Sequence, residues 1–356
     1  MRIGVLTGGG DCPGLNAAIR AVTRSAVHQH DCQVIGIRDG FAGLIENRAH
    51  PLVPSDVRGV LRIGGTMLGS SNRTNPYRYE DPESGHATDA SGQAKDTVRQ
   101  LGLEGLIVIG GDGTLTLANR FAAQCGIPII GIPKTIDNDV HGTDFAIGFN
   151  SAVSYVTEAV DRLHTTAESH HRVMLLETMG RTTGWIALYA GIAGGADAIL
   201  IPERPFEISG IVDAIRSRTL AGHLFTIVVV AEGVPAPDGE AVYRSQSGSK
   251  HQWKLGGVCA ALEAALARHT PQEVRSIVLG HLQRGGPPTA FDRTLATQLG
   301  AHAVRLLTDG ESSRVVGLRG TQVSSRPLAD VAEGARTVPS DNPLLQAAVD
   351  MGIYVG

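Results

Sequence analysis

Residues 106–139 constrain the fold of this chain more than any other stretch. LIVIG (106–110) is a buried-strand run, TLANRFAAQCG (116–126) has the length and stop signal of a helix ending at Gly126, and IPIIGIP (127–133) is a second strand. Strand, glycine loop, helix and strand make a parallel βαβ unit. It places GGDGT (110–114) and PKTIDND (133–139) just past the carboxyl ends of its strands, where open α/β sheets bind ligands. A phosphate or nucleotide site is therefore the expectation.

A chain of 356 residues has room for one large domain or two lobes, and 42% hydrophobic with 19% charged residues is ordinary for a soluble enzyme. Many of the 45 glycines fall at strand ends, a habit of phosphate-binding α/β proteins. The net charge of −4 and the lack of a long basic run argue against nucleic acid and membrane surfaces, so a phosphorylated ligand must be held by local arginines. Cys12, Cys32, Cys125 and Cys259 have no CxxC spacing, which points away from a zinc site or disulfide framework and toward a reduced cytoplasm. The N-terminus has no signal-peptide layout, and no apolar stretch reaches transmembrane length.

The strand IGVLT (3–7) opens into GGGDCPG and then the helical LNAAIRAVTRSAVH, followed by the strand CQVIGI (32–37). This first glycine loop reads either as a tight turn into a helix or as an anion site at a helix start. Residues 64–79 carry small polar side chains and two arginines without a helical stripe: a solvated loop, or a phosphate clamp built on Arg73. Residues 80–95 read as a surface excursion before a helix at TVRQLGL. From about residue 148 an α/β pattern starts again. It comprises the helix SAVSYVTEAVDRLHTTAES, the strand RVMLLET (172–178), the loop MGRTTG, the helix WIALYAGIAGG, and the strands ADAILIPE and LFTIVVVAEGV flanking the helix ISGIVDAIRSRTLAG. The helix VCAALEAALARHT and a strand ending at HLQRGG complete it, and we take it as a second lobe. The helix FDRTLATQLGAHAVRLLTDG, the strand-like SSRVVGLRG and the amphipathic NPLLQAAVDMGI close the chain.

If TIDND continues its strand, Asp137 and Asp139 project to one face and Asn138 to the other. Two such carboxylates can divide labour, one taking a proton from an attacking hydroxyl and the other helping hold a divalent cation on phosphates. In GGDGT the glycines allow close backbone approach, Asp112 supplies an acidic ligand for Mg²⁺ and Thr114 stands where a helix begins. Mg²⁺ takes few carboxylates, so Asp112 with Asp139 would suffice.

The ordered series IGVLTGGGDCPGLNAAIR, IGGTMLGS, GGDGT, PKTIDND, ETMGRTTGW, AEGV and LGHLQRGGPPTAFDR, over about residues 1–300, closely resembles the phosphofructokinase family. The resemblance implies an α/β fold of two lobes, each a mainly parallel sheet with helices on both faces, and an active site between them. A donor lobe would hold residues 1–141 and about 285–333; a sugar-phosphate lobe would hold about 142–284 and 334–356. It implies that Asp137 deprotonates the 1-hydroxyl of fructose 6-phosphate, with Thr135 at the transferring phosphoryl group and Arg181 also catalytic. Gly10, Arg73, Thr74, Gly111, Asp112, Gly113 and Thr114 would contact the donor. Thr135, Ile136, Asp137, Met179, Gly180, Arg181, Glu232, His281, Leu282, Gln283 and Arg284 would contact the sugar phosphate. Arg172 and Arg275 match arginines that reach across from a neighbouring subunit, implying a homodimer or homotetramer with shared sites. Four arginines at strand ends then supply the charge neutralisation that phosphoryl transfer needs.

Family members using ATP usually carry Gly at both positions occupied here by Gly113 and Lys134, whereas pyrophosphate-dependent relatives usually carry Asp and Lys. An Asp at 113 would crowd and repel a nucleotide's inner phosphate, and Gly113 leaves that space free. Lys134 suits either donor. The expectation is a Mg²⁺-dependent glycolytic 6-phosphofructokinase with ATP as donor. Its alternatives are a pyrophosphate-dependent fructose 6-phosphate phosphotransferase and, from another class, a non-catalytic sugar-phosphate or nucleotide sensor.

Overall fold

The computed structural model describes residues 1–80, 85–245 and 254–356. The chain divides into two compact units, Met1–Ser151 with Arg284–Ala335, and Ala152–Gln283 with Arg336–Gly356. The helix Phe149–His170 begins in the first unit and continues in the second.

The first unit is built on an eight-stranded sheet whose main path runs Gln322–Pro327, Arg314–Arg319, Ile129–Thr135, Gly105–Gly110, Arg2–Thr7, Gln33–Ile37 and Ala49–Leu52, with Ile147–Gly148 paired to the end of Ile129–Thr135. The five inner strands of that path are mutually parallel, and both outer strands are antiparallel. Inner strands must be apolar on both faces because helices cover both. Leu6, Leu106 and Val108 join Phe41, Leu44, Val98, Leu115 and Phe121 in one buried cluster. Phe121 meets Phe41 edge to face, with ring centroids 5.7 Å apart. The alternate residues Val5, Ile107 and Ile109 are buried as well. The helices Leu15–His30 and Ala290–Thr308 lie against each other. They cross closely because residue 300 is glycine, where a Cβ would stand 2.7 Å from that of Ala21.

The second unit carries a five-stranded, all-parallel sheet in the order Val274–Val278, Val173–Thr178, Thr226–Ala231, Ala198–Leu200 and Tyr354–Val355. Its helices include Trp185–Ala193, Ile208–Leu220, Val258–Leu266 and Pro343–Asp350. Buried Glu177 anchors Val258–Leu266 by accepting from the backbone N–H groups of Gly257 (2.7 Å) and Cys259 (3.1 Å), donors that a helix start leaves unsatisfied.

Three local expectations change. The segment HLQRGG is not strand: the strand stops at Val278, and Gly280, at φ 52°, turns the chain into a 3-10 helix over Gly280–Arg284. The helix containing TVRQ starts earlier, at Ser91. The strand bearing TIDND ends at Thr135, and Asn138 lies in the left-handed region at φ 55°. The alternation expected to align Asp137 with Asp139 therefore does not continue through this segment. Among the described residues no helix is long and apolar enough to cross a membrane.

Candidate active site

In the first unit the strand order reverses between Arg2–Thr7 and Gly105–Gly110: the chain first builds outward on one side, through Gln33–Ile37, and later on the other. Ligands of open α/β sheets bind at such a switch point, outside the carboxyl ends. The loop 8–11, the GGDGT turn and the segment after Thr135 emerge from three neighbouring strands at that end.

Thr114 spaces the first two of these loops. A Cβ at Gly8 would lie 2.6 Å from its methyl, and a Cβ at Gly110 would lie 2.5 Å away, so only glycine fits on either side. The loop is tied further by Gly8 N–H to Ile109 O (2.9 Å), Gly9 N–H to Ser71 O (2.9 Å) and Ser70 Oγ to Gly9 O (2.5 Å). A cavity of about 370 Å³ opens beside it, lined by Gly9, Gly10, Asp11, Thr66, Ser70 and Asn72. Arg73 is the exposed residue next to that lining, and Thr74 is bonded to Ser71 through their hydroxyls at 2.7 Å. A larger cavity in the second unit, near Phe206, Glu207 and His269, is lined by none of the motif residues, so size does not identify the site.

Helix Asp112–Cys125 starts in GGDGT with Gly111 at its N-cap and no side chain capping it. Its first-turn N–H groups, and the positive end of its dipole, are what a phosphate oxygen requires. Asp112 is half-buried at the first helical position. Gly113, the second position, is exposed, and a Cβ built on it meets nothing within 4 Å. Lys134 is buried and donates from Nζ to Gly10 O at 2.5 Å, and burial pushes its pKa down. Arg284 donates to Asp11 O at 3.1 Å, and its Nη1 would lie 2.8 Å from a Cβ on Gly10. Two cations thus share the backbone of one glycine loop. Burial raises the Cys12 thiol in that loop to about 12, which makes it a packing group and not a nucleophile.

Asp137 and Asp139 are each 2% exposed. The backbone N–H of Asp137 donates to Thr135 Oγ1 at 3.1 Å, and buried Ile136 lies between those two residues. Asn138 fixes the bend, donating to Asp144 O (3.0 Å) and accepting from Ala146 N–H (2.8 Å). Oxygen donors of this kind suit magnesium. Among the described residues no three His, Cys, Asp or Glu side chains converge into a metal cage.

In the second unit, 179–184 and Glu232 follow the adjacent parallel strands Val173–Thr178 and Thr226–Ala231. Arg181 sits in the left-handed region at φ 54°; its N–H donates to Glu232 Oε1 at 3.1 Å, and its carbonyl presses on Gly233, where a Cβ would stand 2.2 Å from it. Met179 N–H donates to Gln283 Oε1 at 3.2 Å, and Gln283 Nε2 donates to Gly280 O at 3.0 Å. Gln283 thus uses both ends of its amide on the protein, while His281 and Leu282 of the same turn are exposed. Arg172 and Arg275 lie at the opposite, amino-terminal end of this sheet, a six-residue strand of about 20 Å from 179–184. Both are ion-paired to Glu273, whose carboxyl is held below the usual range first by the hydrogen bond from Arg172.

Sequence reading placed Lys134 at the donor phosphates without its contact, and it overlooked Ser70 and Asp292 as contributors. Lys134 Nζ reaches the loop 8–11, Ser70 bonds the same loop, and Asp292 accepts from Gly148 N–H, Ser151 N–H and the Ser151 hydroxyl at the start of Phe149–His170. Only the Lys in PKTIDND carried a signal, since a charged residue near the end of a buried strand needs a partner.

A family model described as Phosphofructokinase matches residues 2–307. The chain is 47% identical to a pyrophosphate–fructose 6-phosphate 1-phosphotransferase of Streptomyces coelicolor, with 100% of both chains covered. It is 46% identical to an ATP-dependent 6-phosphofructokinase 2 of Clostridium perfringens, covering 99% of this chain and 97% of that one. Among solved structures, phosphofructokinase from Saccharomyces cerevisiae matches with TM-score 0.81 and 30% identity over 99% of this chain, which spans 46% of the yeast chain.

Proposed function

The chain belongs to the phosphofructokinase family, and from that premise we propose that it transfers the γ-phosphoryl group of ATP to the 1-hydroxyl of fructose 6-phosphate, giving fructose 1,6-bisphosphate. The reading of ATP is carried by Gly113, whose missing side chain leaves open space at the start of the helix Asp112–Cys125. The N-terminus of that helix, with Lys134 and Arg284 on the loop 8–11, offers the donor positive charge from three directions. Asp112, with Asp139 as second carboxylate, would hold a magnesium ion, which neutralises charge on the phosphates when bound. Asp137 takes the proton of the attacking hydroxyl, and Thr135, bonded to the Asp137 amide, holds the segment at the transferring group.

The loop 179–184, Glu232 and the 280–284 turn bind the sugar phosphate in this reading. Arg172 and Arg275, at the other end of their sheet from that loop, serve a neighbouring subunit, so the active unit is at least a dimer. Dilution to monomers is expected to abolish turnover, and a fully active monomer would reject the shared site.

A second reading, pyrophosphate as donor, is favoured by Lys134, a buried cation held on the donor loop. Relatives of both names stand at 46–47% identity. Initial rates with ATP and with pyrophosphate at matched Mg²⁺ decide between them. ATP is expected to support the faster reaction, and a large pyrophosphate preference reverses the assignment.

A further inference from the structure

We propose that Glu203 is a positioning residue for the loop 179–184, clamping it to the segment that re-enters the second unit at Arg336. The proposal rests on the reading of that loop as a sugar-phosphate site.

The loop's backbone donors are held from several directions. Met179 N–H goes to Gln283, Arg181 N–H to Glu232, and Thr183 N–H closes a turn on Gly180 O at 3.0 Å. The last donor, Gly184 N–H, goes to Glu203 Oε1 at 3.0 Å. The same oxygen accepts Val338 N–H at 2.9 Å, so one carboxylate atom joins two stretches of chain far apart in sequence. A second link lies one residue on. Trp185 Nε1 donates to Arg336 O at 2.8 Å, and the Arg336 guanidinium lies over the Trp185 ring, 4.3 Å from its centroid.

The fit leaves little slack. A Cβ on Gly184 would stand 2.3 Å from that of Ile201 and 2.8 Å from Glu203 Oε2, so the carboxylate packs directly on the loop's last residue. Thr183 and Trp185, on either side, are 0% and 3% exposed. Arg181 meanwhile holds a left-handed conformation that an arginine adopts only when its surroundings impose it. Fixing both ends of the loop, Met179 by Gln283 and Gly184 by Glu203, is the means of imposing it. Arg181 then faces its ligand preorganised, and the ordering cost is met during folding and not on binding.

Glu203→Ala removes the shared acceptor. The KM for fructose 6-phosphate is expected to rise roughly tenfold, the equivalent of one lost hydrogen bond, with KM for the donor unchanged and kcat little altered. Glu203→Gln keeps an acceptor oxygen in place and restores the KM. The chain has two tryptophans, so a Trp253→Phe background isolates Trp185 emission, which is expected to respond to fructose 6-phosphate in that background and with Glu203→Gln, and to lose the response with Glu203→Ala. Should Glu203→Ala fail to fold, Glu203→Asp, whose shorter side chain cannot reach both N–H groups, takes its place. An unchanged KM for fructose 6-phosphate in a folded variant, or equal rises for both substrates, overturns the clamp. A parent enzyme inert toward fructose 6-phosphate with either donor sinks the functional reading instead. Amide exchange at Gly184 and Val338, measured without substrate, then decides the clamp: faster exchange in Glu203→Ala supports it and unchanged exchange rejects it.

Discussion

Substituting Gly113 by aspartate separates donor choice from folding. A Cβ built at residue 113 meets no atom of the protein within 4 Å, and the position lies in the first turn of Asp112–Cys125. An acidic residue there interacts favourably with the helix dipole by about 0.3–1 kcal/mol, and the helix propensity of aspartate is no worse than that of glycine, so Gly113→Asp should fold with unchanged or higher Tm. Its effect on a bound nucleotide has the opposite sign. A carboxylate about 4 Å from a phosphate charge, at the effective dielectric of a site near the surface, costs about 4 kcal/mol, and a nearby magnesium ion reduces that by roughly half. The remaining ~2 kcal/mol should lower kcat/KM with ATP by about 30-fold, while pyrophosphate kinetics stay within a few-fold or improve. The assay is kcat/KM with each donor at matched Mg²⁺, alongside a thermal melt. A folded variant that keeps ATP kinetics within about threefold of the parent refutes the argument that open space at 113 admits the nucleotide.

Two further outcomes follow from the same loops. Asp137→Asn should lower turnover by about 10²- to 10⁴-fold while leaving fructose 6-phosphate affinity, read by calorimetry, largely intact; retained turnover rejects Asp137 as the base, and lost affinity would make it a binding group instead. Cys12 is raised from 9.0 to about 12 by burial, so its contribution to stability is full below pH 9 and is lost as pH rises toward 12. Urea midpoints of the parent and of Cys12→Ala should therefore differ most below pH 9 and converge above it, and a constant difference would show that the thiol does not titrate as its burial dictates.

The parallel inner strands were readable because each is an apolar run ended by glycine or a charged motif, and that pattern depends only on neighbouring residues. What escaped depends on partners distant in sequence. The bend after Thr135 exists because the Asn138 side chain bonds Asp144 and Ala146, which stabilises a left-handed backbone no local rule demands. Gly280 likewise ends a run that apolar patterning would extend. The short antiparallel edges Ala49–Leu52 and Gln322–Pro327 hold prolines and polar residues, and they exist through pairing with a preceding strand. Gln283 was legible as part of a motif but not as a side chain spent on Met179 and Gly280. Glu203, at the end of an ordinary apolar strand run, gave no sign of its link to Val338.

The division of the chain also bears on its synthesis. The first unit's strand Ile129–Thr135, which leads into Asp137, is flanked by Gly105–Gly110 and by Arg314–Arg319. On a ribosome the first flank is made early, but the second follows only after residues 152–283 of the other unit have emerged. Throughout that interval the nascent sheet has an unpaired, strongly apolar parallel edge, the kind of surface that recruits chaperones or mispairs. Asp292, which fastens Gly148 and Ser151, arrives equally late. The segment proposed to carry the catalytic base is thus among the last to be locked in place, and a chain released early would lack a finished catalytic strand.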